Sequence, residues 1–263
     1  MSPCWVLLRG LTREQGHWGT FPAQLARALP ADARLLCPDL PGNGARHAQT
    51  SPDTVAGMVE ALRADLSAAG NAPPYRLLAM SLGAMVAIEW AHRYPQELQA
   101  CVLINTSVRP FSRFWERLQP RNYATILRLA LIRPDALALE QAVMRLTTRH
   151  PPQAPSVLAQ WVELRHRHPV TLANAWRQLR AAMAYSAPLQ RPGMPVLVLF
   201  SAADGLVNPR CSESLARHWG VDWHRHPTAG HDLPLDDSPW VIEQLISWQE
   251  RQKLDTARGI AST

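Results

Sequence analysis

The first hundred residues alternate between short apolar runs and amphipathic stretches, a pattern that fits a parallel sheet covered by helices. Residues 5–8, 34–37, 75–80, 100–105 and 196–200 read as strands, and residues 222–226 form a further short run. A helix is expected over residues 22–29, where Pro22 suits a first turn and Leu25 and Leu29 share a face. A second is expected from Ser51, with the hydroxyl as N-cap and Pro52 in the first turn. Its apolar residues Val55, Met58, Val59, Leu62 and Leu66 recur at helical spacing, and Gly70 ends it. Residues 84–92 and a stretch from Ser238 are also helical in pattern.

Between residues 108 and 188 the character changes. Strand-like runs are missing there, and helix-like stretches are punctuated by Pro110, Pro120, Pro134, Pro151, Pro152 and Pro169. This predicts an α/β fold, a mostly parallel sheet flanked by helices, with an inserted helical cap. The core is assigned to residues 1–107 and 189–250, the cap to 108–188, and a loosely ordered tail to 251–263.

Three sites in the chain carry chemistry. The first is Ala79-Met80-Ser81-Leu82-Gly83, set between an expected strand and an expected helix. A serine hydroxyl needs a nearby base and donors for the oxyanion it creates, and a sharp strand-to-helix turn flanked by small residues exposes it. The second is Asp204, just past the strand at 196–200, at the sheet end where ligands bind in open α/β folds. The third is His231, on the loop Thr228-Ala229-Gly230-His231-Asp232. Asp204 follows Ser81 by 123 residues and His231 follows Asp204 by 27. Chain order Ser, Asp, His is the order of the nucleophile-elbow hydrolases.

These motifs resemble the α/β-hydrolase superfamily over about residues 4–250. Pro38-Asp39-Leu40-Pro41-Gly42-Asn43-Gly44 resembles its D-x-P-G-x-G turn, and Leu7-Leu8-Arg9-Gly10-Leu11 resembles its apolar-H-G-x turn. The resemblance implies Ser81 as nucleophile, His231 as base, Asp204 as the acid that orients it, and the backbone N–H groups of Leu82 and Leu11 as the oxyanion hole. Alanine at position 79 stands where the family motif has glycine. Arg9 stands where the family usually has histidine, and two roles are open for it: binding a substrate carboxylate, or pairing with a neighbouring acid. Cap and motif arrangement are most similar to the carboxylesterase branch that includes the esterase of pimeloyl-acyl-carrier-protein methyl ester. The activity so implied is hydrolysis of a carboxylic ester of a small or acyl-chain substrate through an acyl-enzyme, without cofactor or metal. An acyl thioesterase, a carbon–carbon bond hydrolase and a non-catalytic binding protein on the same fold are the alternatives.

Other features set bounds. Asp39 is expected to serve its turn structurally, and Asp232, Asp236 and Asp237 to solvate or cap the next helix. Arg165-His166-Arg167-His168 is not read as a metal tract, because interleaved arginines oppose a cation. Trp115, Trp161 and Trp176 either line an acyl pocket or pack the cap onto the body. Cys4, Cys37, Cys101 and Cys211 lack metal-ligand spacing and read mostly as small hydrophobes. The net charge of +6 is uneven: residues 108–187 hold twelve arginines against four acids. That excess suits an acidic acyl carrier or another acidic partner, or arginines lying along helix faces. No nucleic-acid motif accompanies it. Apolar runs fall short of the roughly 20 residues that span a bilayer, and the expected location is the cytoplasm.

Overall fold

The computed structural model describes residues 3–132, 134–150 and 154–257. The apolar runs become six strands: β1 (Cys4–Leu8), β2 (Arg34–Leu36), β3 (Tyr75–Met80), β4 (Leu98–Ile104), β5 (Val196–Ser201) and β6 (Asp222–His226). They pair in parallel in the order β2-β1-β3-β4-β5-β6. The chain therefore starts inside the sheet, steps to one edge, and returns past β1 to build towards the other. The reversal falls between β1 and β3, and such switch points open a crevice at the carboxyl ends of the strands.

Side chains alternate across the sheet as the period of two requires. Val6, Leu8, Leu77, Ala79, Cys101, Leu103, Val198 and Phe200 face one side. There they pack on α2 (Val55–Ala68), α3 (Leu82–Arg93) and α9 (Arg210–Trp219). Trp5, Leu7, Leu78, Met80, Val102, Ile104, Leu197 and Leu199 face the other, against α1 (Phe21–Ala28), α10 (Leu233–Asp236) and α11 (Ser238–Ala257). Strands buried on both faces read as continuous apolar runs, which is why these were visible in the sequence. Burial pushes the thiol of Cys101 up to about 12 and that of Cys37 to about 11, consistent with apolar packing.

Between β4 and β5 lie α4 (Phe114–Arg117), α5 (Tyr123–Ile132), α6 (Ala136–Thr147), α7 (Ala154–Arg167) and α8 (Leu172–Ala184), with no strand of the sheet among the described residues. A bridge between Arg109 and Ser186 joins the two ends of this segment where it leaves and rejoins the core. Trp161 is buried and packs on the ring of His17 and under the guanidinium of Arg13, fastening α7 to the loop after β1. Trp115 and Trp176 are exposed.

Two helix boundaries differ from the sequence reading. The helix expected from Ser51 begins at Val55, and Thr54 is its cap, accepting from Gly57 N–H at 3.1 Å. Ser51 is held elsewhere: its Oγ donates to Pro41 O, and its N–H donates to Asn174 in α8. At the other end, α11 runs on past Arg251 to Ala257, where loose order was expected. Val241, Leu245 and Trp248 are fully buried along it, and an anchored helix propagates at one bond per residue through a following stretch of good helix formers. The expected tail beyond Ala257 lies outside the described residues.

Candidate active site

Ser81 follows β3 in the left-handed region, at φ 55°, and α3 starts at the next residue. A non-glycine residue holds this conformation only where its surroundings impose it. The imposition comes from both sides. Ser81 N–H donates to Ile104 O at 3.0 Å on β4. On the other side Gly83 lies against the end of β1: a Cβ there would sit 2.5 Å from Leu8 O and 2.7 Å from Arg9 O. The loop after β1 crosses directly over the serine, since a Cβ on Gly10 would lie 3.2 Å from Ser81 Cβ and 3.6 Å from its Oγ. Ala79 is fully buried in β3, so its methyl takes core space and leaves the turn free.

Leu82 is the first residue of α3, where a helix leaves its N–H without an internal partner. Leu11 lies in the loop beside Gly10, and no described group accepts from its N–H. Both N–H groups named as oxyanion donors are thus unspent near Ser81.

His231 and Asp204 come together as a buried pair, with Nδ1 2.7 Å from Oδ2. The carboxylate is fixed from behind, because Oδ1 accepts from Leu206 N–H at 2.8 Å and Val207 N–H at 2.9 Å. Burial pulls the imidazole pKa down, but the charge and hydrogen bond of Asp204 outweigh it, with a smaller push from Asp232, and the pKa lies above its ordinary 6.5. The bond to Asp204 places the proton on Nδ1 in the neutral ring and leaves Nε2 as the basic nitrogen. Among the described residues neither Nε2 nor Ser81 Oγ has a hydrogen-bond partner.

A residue the sequence did not single out joins the halves of the site. Asn105 follows β4 in the left-handed region, at φ 45°. Its Nδ2 donates to His231 O at 2.7 Å, with longer bonds to Gly230 O and Ser201 Oγ at 3.3 Å, and its Oδ1 accepts from Ser201 N–H at 2.9 Å. The neighbouring Ile104 carbonyl is the one that holds Ser81 N–H, so two adjacent residues register the serine turn and the histidine loop. Asparagine tolerates left-handed backbone better than most residues, which is the only signal the sequence carried.

Arg9 does not offer a free guanidinium to a substrate carboxylate. It is buried and holds Asp232 in a two-pronged pair, NH2 to Oδ2 at 2.6 Å and NH1 to Oδ1 at 3.1 Å. NH1 also contacts Met80 Sδ, and the guanidinium lies 4.7 Å over the Trp18 ring. The substrate-binding expectation is replaced by the pairing one, for a plain reason: a buried arginine must find an anion, and Asp232 is next to it. Asp232 stands at the N-cap position of the short helix Leu233–Asp236, but its side chain makes no cap bond and is spent on Arg9. Asp237 does cap α11, accepting from Trp240 N–H. Asp39 serves its turn, accepting from Gln15 and Ala45 N–H.

Many arginines between β4 and β5 are also bonded to groups of the chain itself. Arg109, Arg117, Arg121, Arg149 and Arg177 donate to backbone carbonyls, and Arg165, Arg167 and Arg180 pair with Glu140, Glu163 and Asp53. His168 of the His-Arg tract binds Glu14. Among the described residues no three potential metal ligands converge, and no helix is long and apolar enough to cross a membrane.

Residues 6–238 match the profile of the alpha/beta hydrolase fold family. Many solved structures share the fold. An enol-lactonase from Burkholderia xenovorans LB400 superposes with a TM-score of 0.77 at 18% identity, over 95% of this chain and 92% of that one. A putative lipase from Acinetobacter baumannii AYE gives 0.76 at 20%, over 97% and 85%. A thermophilic esterase from Thermogutta terrifontis gives 0.73 at 20%, over 95% and 90%. The chain has no significant match among curated proteins.

Proposed function

Since the chain belongs to the alpha/beta hydrolase fold family, we propose that it is a serine hydrolase that cleaves carboxylic esters through Ser81, His231 and Asp204. The observation that carries this reading is the buried His231–Asp204 bond of 2.7 Å at the sheet end where Ser81 sits in its left-handed turn. Ser81 Oγ attacks the carbonyl carbon as His231 Nε2 takes its proton, and Asp204 stabilises the imidazolium. The N–H groups of Leu82 and Leu11 receive the oxyanion, each worth roughly 2.7–4 kcal/mol in well-placed cases. His231 then protonates the departing alkoxide, and water repeats the sequence on the acyl-enzyme.

An oxygen ester is chosen over a thioester or a carbon–carbon bond because the neighbours bear the names esterase, lipase and enol-lactonase. If an acidic acyl carrier delivers the ester, Arg113, Arg128 and Arg145 are, among the described residues, the exposed arginines of the cap whose side chains bond no acid or carbonyl, and they would meet it.

The test is hydrolysis of p-nitrophenyl esters from acetate to dodecanoate, with Ser81→Ala beside the wild type. Turnover in the wild type that vanishes in the variant is expected. A wild type that neither turns over nor takes a fluorophosphonate label would overturn the reading in favour of a binding protein. Labelling without ester turnover would move the leaving group to a thiol or a carbon.

A further inference from the structure

The cap is bonded to three of the loops on which the proposed chemistry depends. On the acid loop, Gln119 Nε2 donates to Asp204 O at 2.9 Å and Val207 O at 3.1 Å, and Asn122 Nδ2 donates to Gly205 O at 2.8 Å. On the histidine loop, Asp232 N–H donates to Thr147 O at 2.7 Å. Asp236 ties both sides there, accepting Gly230 N–H at 2.6 Å and Arg149 N–H at 2.8 Å through one oxygen. The loop after β1 is held most deeply. Gln178 of α8 accepts Thr12 N–H at 2.8 Å and donates to Asn43 Oδ1 at 2.8 Å, and Asn43 Nδ2 closes the relay on Arg13 O at 3.0 Å. Gln178 and Asn43 are fully buried. Arg13 itself bonds Glu140 of α6 at 2.7 Å, and Arg165 of α7 bonds the other oxygen of the same carboxylate.

Thr12 is the telling residue. It is β-branched and sits at φ 57°, a strained conformation for such a residue that persists only when neighbours impose it. The neighbour that takes its N–H is Gln178, a cap side chain 166 positions away. Leu11, whose N–H is a proposed oxyanion donor, immediately precedes it. Release of Thr12 to negative φ would swing the Gly10–Leu11 peptide relative to Arg13 and turn that donor off Ser81.

We propose that the cap is a fixed brace of the active site rather than a detachable lid, and that Gln178 is the positioning residue that sets the oxyanion loop. The proposal rests on the serine hydrolase reading for its catalytic consequence, and on the hydrogen-bond relay for its structural one. Gln178→Met keeps the volume and removes both bonds. Its kcat on the best p-nitrophenyl ester should fall about 10- to 100-fold, short of the 10²–10³ lost with a whole donor, while KM stays within about twofold. Affinity for an alkyl trifluoromethyl ketone, whose adduct carries the oxyanion, should weaken by the same factor as kcat. Amide exchange over residues 10–14 should accelerate in parallel.

A folded Gln178→Met with wild-type kcat, or with reduced kcat but unchanged ketone affinity, would overturn the positioning role. Unchanged exchange at Thr12 would overturn the brace. Exchange does not need turnover, so a wild type inactive on every ester would sink the hydrolase reading while this measurement still decided the relay. Should Gln178→Met fail to fold, Asn43→Ala, which cuts the relay one bond further out, carries the same set of measurements with smaller expected losses.

Discussion

Replacing Asp232 with asparagine should cost the protein stability and shift its pH profile in a direction fixed by the structure. The Arg9–Asp232 pair is almost fully buried, with side-chain exposures of 5% and 4%. Removing one partner of a buried pair leaves the other charge uncompensated, at a cost of about 3–5 kcal/mol. Here Arg9 keeps the Trp18 ring, the Met80 sulfur and one asparagine oxygen, so the low end, about 3 kcal/mol, is expected. In a domain of this size each kcal/mol moves Tm by about 2–4 °C, giving a fall of roughly 6–12 °C. The second effect is on His231. Asp232 raises its pKa and Arg9 lowers it. The variant loses the first influence and unmasks the second, so the acid limb of kcat/KM must move to lower pH. Thermal denaturation and a pH profile on one ester measure both. A companion, Arg9→Met with Asp232→Leu, removes both charges and should be more stable than Asp232→Asn alone. A Tm loss under about 3 °C, a limb that moves upward, or a companion no more stable than the single variant would refute the reasoning.

Two further substitutions probe the catalytic frame. Asp204→Asn should lower kcat by about 10⁴-fold, since asparagine holds the wrong imidazole tautomer, and the acid limb should fall below that of the wild type because the main raising influence on His231 is gone. An unchanged limb would show that His231 is not the titrating base. Gly83→Ala places a methyl 2.5 Å from Leu8 O and 2.7 Å from Arg9 O. It should destabilise by about 1–3 kcal/mol through overpacking and reduce kcat, because relief requires α3 or the loop over Ser81 to shift; a thermally and kinetically silent variant would contradict the close approach of β1 to the serine turn.

What could be read from the chain was whatever its local pattern determines. Strands buried on both faces declare themselves as apolar runs, and the residues for Ser81, Asp204 and His231 each follow a strand in family order. The helix start at Ser51 misled because hydroxyl followed by proline is a good local signal. Tertiary bonds to Pro41 and Asn174 claimed that serine, and Thr54 capped the helix instead. Arg9 and Asp232 are 223 positions apart, so no spacing rule could join them. Asn105, Gln119 and Gln178 belong to no motif. Each does its work by hydrogen-bonding a backbone group on a distant loop, and nothing in a local window records which loop that is.

The same distinction bears on the charge of the segment between β4 and β5. Its arginine excess invited an external acid, yet five of the eleven described arginines there bond the chain's own groups, carbonyls at 107, 182, 184, 203 and 205 or Glu140. Those carbonyls end strands, helices and loops, where backbone acceptors lack regular partners. A guanidinium suits them because its donors fan out in a plane from a long apolar stem that can lie along packed surface. Arg121 and Arg149 reach the residues flanking Asp204, Ala203 and Gly205, from two different parts of the cap. Lysine, with one compact ammonium, could not cover the same acceptors with the same geometry. The basicity of the segment is in part a by-product of how it is fastened, and its fastening points include the loop that holds Asp204.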